Sequence, residues 1–199
     1  MKLVLASASP RRAALLSEMQ LAFSIRAPEA PEVYPDNLPP WEAVQVLAWD
    51  KARRVLEREP DALILGADTV VVLDGKVFGK PRDEAEAVQF LRALSGKIHE
   101  VYTGVCLCSA QKECTGFERT EVVFASLSNA EIYDYINRWQ PFDKAGAYGI
   151  QDAGRLFVKE IGGDFFNVVG LPLFLVNALL KQEFSMNLEA FSKRKDGGS

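Results

Sequence analysis

The stretch ALILGADTVVVL, residues 62–73, constrains this chain more than any other. It is too continuously apolar to leave one face in water, so it reads as a central strand covered on both sides. Asp74-Gly75 follows, a dipeptide suited to a hairpin turn that needs positive φ. One residue breaks the apolar run. A buried carboxylate without a partner is costly, so Asp68 must meet a cation, a metal or a catalytic task. An aspartate at a strand end can also cap a neighbouring helix, and both readings stand at this point.

Around this strand the pattern alternates. LVLA (3–6) reads as a strand, SPRRAALLSEM as the helix after it, with Ser9 as N-cap and Pro10 at the first helical position. AFSIRA (22–27) reads as a second strand, the proline-rich 28–40 as a loop and 41–59 as a long amphipathic helix. A helix over 83–96 closes at a glycine, and two strands, HEVYTGVCLCS and TEVVFASL, form a hairpin joined by polar AQKECTGFER. Ser128 with Glu131 predicts a capping box, 143–154 a glycine-rich loop, RLFVKEI a strand and 170–182 a last helix. The expectation is an α/β fold with a mixed sheet, one domain over residues 1–184 and a disordered tail over 185–199.

Composition narrows the function. With 48% hydrophobic residues in 199, the chain can bury a substantial core. A formal net charge of -4 gives no global positive field for nucleic acid, so an anionic ligand must be met by a local cationic cluster. No apolar run approaches the ~20 residues of a membrane span. The start KLVLAS lacks the apolar region of a signal peptide, so a cytoplasmic protein is expected. Cys106, Cys108 and Cys114 fit strand packing better than a disulfide framework, and the single histidine, His99, fits a structural role.

Three stretches carry chemistry. SASPRR (7–12) puts backbone N–H groups, serine hydroxyls and two guanidiniums at a helix start, where phosphate is favoured; the same residues also suit a surface cap with solvated arginines. GADT (66–69) with GKP (79–81) brings Asp68 and Lys80, and Lys51 lies within reach of the same cleft; solvated lysines are the plainer alternative. DKAGAYGIQ (143–151) offers Gln151, whose amide can pair with a pyrimidine N3–H and a flanking carbonyl, or bond its own loop.

SASPRR, GADTVV, GKP, LSG…H.V.TGV, DKAGAYGIQ and VVGLP occur in this order over roughly residues 2–182, and the chain resembles the Maf family of nucleoside triphosphate pyrophosphatases. The resemblance implies a mixed, highly twisted sheet flanked by helices, with two lobes around a deep nucleotide-binding cleft. It implies hydrolysis of a nucleoside triphosphate to the monophosphate and pyrophosphate, dependence on Mg²⁺ or Mn²⁺, and a homodimer. The charge and the short apolar runs, for their part, lead to the expectation of no nucleic-acid or membrane partner. Matching positions make Ser7, Arg11 and Arg12 phosphate ligands, Lys51 and Lys80 neutralising cations, Asp68 general base or metal ligand, and Glu32 a second metal ligand. Arg11, Thr69 and Gln151 together resemble the subgroup acting on dTTP and UTP. Aspartate follows Gln151 here, where relatives often have glycine. The alternative is a nucleotide-binding regulator of septum formation with little turnover.

Overall fold

The computed structural model describes residues 1–28, 34, 35 and 37–193. β1 (Lys2–Ala6), α1 (Pro10–Glu18), β2 (Phe23–Ile25) and α2 (Pro40–Leu56) form the first half. β3 (Ala62–Leu73) turns through Asp74 and Gly75, at φ 50° and 76°, into β4 (Lys76–Phe78). Then come α3 (Glu84–Leu94), the hairpin β5 (Ile98–Cys108) and β6 (Glu113–Phe124), α4 (Asn129–Trp139), β7 (Val158–Gly162), α5 (Phe165–Val169) and α6 (Leu173–Phe184). The Ser128–Glu131 capping box forms at the start of α4.

The fold is mixed α/β around one 7-stranded sheet in the order β2-β1-β3-β5-β6-β7, with β4 paired to β3. β2 and β3 flank β1 in parallel; every other pairing is antiparallel. Strand alternation sorts the core. Leu63, Leu65 and Val105 face α1 and α6, while Val71, Val101 and Phe124 face α3 and α4. Ile64, Cys106 and Cys108 face α2 on the other side, so both thiols of CLC are packing groups. Thus β3 is covered on both faces, as its composition requires.

Two glycines let α2 lie directly on the sheet. A Cβ on Gly66 would stand 2.3 Å from the Ala48 carbonyl oxygen, and one on Gly104 would stand 2.3 Å from the Val44 backbone. This close approach carries Lys51 down onto β3.

The pairing of β3 leaves a gap. Its partner β1 ends at the Ala6–Gly66 pair, and β4 begins only at Phe78–Val71. Between them one edge of β3 has no neighbouring strand over residues 67–70. The segment after β1 and the segment after β4 flank this gap, and β1 is where the chain order reverses, a place where open α/β sheets form crevices.

Four expectations need correction. The polar AQKECTGFER is mostly strand: β6 starts at Glu113, and only residues 109–112 turn. Its residues 113–119 alternate between exposed and half-buried positions. Ser9 occupies the N-cap position but makes no side-chain cap; its N–H donates instead to Ser7 Oγ. α5 was not anticipated. Packing also continues past residue 184. Leu188 and Phe191 are 3% and 6% exposed, the Phe191 carbonyl accepts from Ala22 N–H, and Ser192 bridges Leu21. The apolar pair closes the core beneath α1, so residues 185–193 are structured. Glu32 lies outside the described residues.

Candidate active site

A cavity of about 670 Å³ fills the gap beside β3, and Ser7, Arg11, Arg12, Lys51, Asp68, Thr69, Lys80 and Gln151 all line it. Its apolar wall comes from both core clusters, Ile150 and Val169 from one and Val71 and Tyr148 from the other.

The loop after β1 forms the first wall. Arg12 is buried, and three of its bonds fix the guanidinium: Nε donates to the Gly170 carbonyl at 2.7 Å, Nη1 to Ser7 Oγ at 3.1 Å and Nη2 to Thr69 Oγ1 at 3.0 Å. It is held as a preset plane at the cavity wall rather than waving in solvent. Arg11 is more exposed and bonds Asp143 across the cavity mouth, at 2.6 Å to Oδ2 and 3.2 Å to the carbonyl. Asp143 also accepts from Lys144 at 2.7 Å. Burial pushes the Asp143 carboxyl up, but the bonds from Lys144 and Arg11 outweigh it and hold it below the usual range.

Asp68 and Thr69 are adjacent on β3 and point to opposite faces. On the α2 side, Lys51 Nζ lies 2.5 Å from Asp68 Oδ1, and each residue is 5% exposed. The buried carboxylate has met its cation. On the α1 side, Thr69 joins Arg12 and Thr103. Lys80, just after β4, is exposed at the rim.

The glycine-rich loop is ordered by Asp152. Its Oδ1 accepts from Tyr135 Oη and Gly154 N–H, Oδ2 lies 3.7 Å from Lys144 Nζ, and the Tyr135 hydroxyl oxygen accepts from Gly149 N–H. The backbone of Gln151 is tied to Arg155; the residue lines the cavity, and its side-chain amide makes no hydrogen bond among the described residues. Tyr148 Oη meets His99 Nε2 at 2.9 Å behind this loop. Sequence reading reached Asp143 and Lys144 as the start of DKAGAYGIQ and as a pair, which forms. Their bonds to Arg11 and Asp152, and the ordering role of Asp152, depend on distant partners and escaped it; the departure at residue 152 was the signal there.

Among the described residues, no three His, Cys, Asp or Glu side chains stand together as a ready-made metal cage. Asp68 does supply a hard oxygen donor at the cavity wall. That suits Mg²⁺ or Mn²⁺, which takes one or two carboxylates and completes its shell with water and substrate phosphate. No described helix is long and apolar enough to cross a membrane.

Known proteins place this chain. A family profile described as Maf-like protein matches residues 2–183. A dTTP/UTP pyrophosphatase of Koribacter versatilis is 47% identical over 182 residues, covering 92% of this chain and 94% of the relative. The dTTP/UTP pyrophosphatase of Bacillus velezensis is 48% identical over 181 residues, 91% of this chain and 96% of the relative. That of a Geobacillus strain is 49% identical over 172 residues, 86% and 92% of the two chains. By the profile match and by these near full-length identities, the chain belongs to the Maf-like protein family.

Proposed function

We propose that the protein is a nucleoside triphosphate pyrophosphatase acting on dTTP and UTP. The observation that carries the reading is the convergence on one cavity of Arg11, Arg12 and Lys80, a buried Lys51–Asp68 pair and Gln151, whose amide has no hydrogen bond among the described residues. The names of its relatives support the same reaction and favour it over a non-catalytic regulator of division.

In this reading the triphosphate runs from the start of α1, beside Ser7, Arg11 and Arg12, toward Lys80. Asp68 takes the proton of a water that attacks the α phosphorus in line; the bond to the bridging oxygen breaks, and pyrophosphate leaves. Lys51 holds Asp68 in place, and Lys80 offsets charge on the departing group. Asp68 would also hold a divalent cation, whose contribution is to polarise phosphate oxygens. Glu32 belongs to this proposal as its second carboxylate. The Gln151 amide reads the uracil or thymine edge, which presents carbonyls around one N–H. A cytoplasmic homodimer is part of the same proposal.

Pyrophosphate release from a panel of nucleoside triphosphates with Mg²⁺ or Mn²⁺ tests it. The fastest release is expected from dTTP and UTP. Asp68→Asn should lose at least about 10²-fold in kcat while still binding nucleotide. Gln151→Glu should shift the preference away from these two bases. Release of single phosphates, or equal rates across all bases, would refute the assignment.

A further inference from the structure

The TGV motif on β5 is left unused by the reaction just described, yet Thr103 is fully buried directly opposite Thr69, its cross-strand partner. Its bonds have only one consistent direction. The Asn167 carbonyl can only accept, so Thr103 Oγ1 donates its hydrogen there, at 3.0 Å. Thr69 must therefore donate to Thr103, also at 3.0 Å, and Arg12 Nη2 donates to Thr69. At the other end, Ser7 Oγ accepts from both Arg12 Nη1 and Ser9 N–H. Both its lone pairs are committed, so it offers the cavity a hydrogen and nothing else, which suits an anionic phosphate oxygen.

The far end of this chain is anchored. Asn167 is fully buried, and its Nδ2 donates to the Val101 carbonyl at 3.0 Å and to Thr120 Oγ1 at 2.9 Å. Thr120 in turn donates to the Asp164 carbonyl. Thus α5 is pinned to β5 and β6, and its Asn167 carbonyl is a fixed acceptor.

We propose that Thr103 is a positioning residue for phosphate capture: its hydroxyl terminates a hydrogen-bond relay through Thr69 that fixes the Arg12 guanidinium, and with it the Arg12–Ser7 bond that leaves Ser7 a donor-only group. A corollary concerns Thr69. Its single hydrogen is committed to Thr103, so it acts on the ligand through Arg12 or as an acceptor, never as a donor to a base carbonyl. The proposal rests on the phosphate site of the functional reading but not on turnover.

The test titrates inorganic tripolyphosphate into the full chain by calorimetry, beside dTTP turnover. Thr103→Val should weaken tripolyphosphate about fivefold to tenfold, the scale of one hydrogen bond. Thr103→Ser, which keeps the hydroxyl, should stay within about twofold of the unsubstituted protein. Thr69→Val should match Thr103→Val, and the double variant should be no weaker than either, because both cut the same relay. In turnover the loss should fall on KM, with kcat changing less than about threefold. Unchanged affinity in Thr103→Val, with or without a lowered melting temperature, overturns the proposal. So does a Thr103→Ser variant as weak as Thr103→Val, or a double variant whose losses multiply. If Thr103→Val does not fold, Thr69→Val against Thr69→Ser decides: equal affinities refute the relay, and loss in the valine variant alone supports it. A relay pattern in binding without pyrophosphate release would overturn the functional reading and leave the relay standing. Release without the pattern would do the reverse, and failure of the unsubstituted protein to bind tripolyphosphate would overturn both.

Discussion

Asp68 and Thr69 show how one peptide unit serves two walls of a site. Strand geometry sends their side chains to opposite faces, so the carboxylate meets Lys51 from α2 while the hydroxyl meets Arg12 from α1. The same logic places His99 on the α3/α4 side, 1% exposed, against Tyr148. Burial pushes its imidazole from an ordinary value of 6.5 down to about 4. The folded protein therefore resists a proton that the unfolded chain accepts. Above about pH 6.5 both forms are neutral, and the full stability is present. As pH falls toward 4, the unfolded chain gains the proton first, and stability drops. At 1.36 kcal/mol per unit of pKa difference, the loss is on the order of 3 kcal/mol by pH 4. Urea unfolding across that range should show a steeper fall in the unsubstituted protein than in His99→Asn, which cannot take up the charge. Parallel slopes would mean that His99 protonates freely in the folded state.

At the scale of elements, the helix-on-sheet contact through Gly66 and Gly104 governs the site, because it sets the height of Lys51 above β3. A methyl group at either position would meet backbone atoms of α2 at 2.3 Å, and a helix backbone cannot move aside as a side chain can. Gly66→Ala and Gly104→Ala should each cost about 3 kcal/mol in urea unfolding and lift Lys51 from Asp68. The folded fraction should then lose turnover as well; full activity in either would show that α2 does not set the pair. Neither glycine announced this in the sequence, where each reads as a small residue in a strand. What was legible came from local rules: the apolar run of β3, the Asp74-Gly75 turn and the Ser128–Glu131 box all depend on neighbouring residues. What was not legible depends on distant partners. Residues 113–119 look like a loop because they are largely polar and none is fully buried; their strand form comes from pairing with β5. Arg11 and Arg12 look alike side by side, yet one meets Asp143 at the cavity mouth and the other is locked into the wall. That Asp68, Lys51 and Lys80 share a cleft was one of two open readings of the residues, and the order of motifs along the whole chain favoured it over solvated lysines.

At the scale of the whole molecule, an overall charge of -4 means that an anionic substrate needs a local cationic wall, which the proposed function puts at the start of α1. The other end of α1 is secured by the last described segment. Leu188 and Phe191 pack into the cluster that holds Leu15, Leu16 and Leu21, and the backbone of residues 191–193 bonds Gln20 and Ala22. A nine-residue helix separates the two regions, about 13 Å at 1.5 Å per residue. This separates stability from chemistry. Phe191→Ala and Leu188→Ala each remove a buried apolar group and should cost about 2–4 kcal/mol in urea unfolding. The KM for dTTP should remain within about twofold at temperatures where the variants stay folded, because neither residue lines the cavity. Loss of nucleotide affinity in a folded Phe191→Ala protein would mean that α1 transmits its anchoring to the phosphate site. The core beneath the helix would then count as part of the binding apparatus rather than only its support.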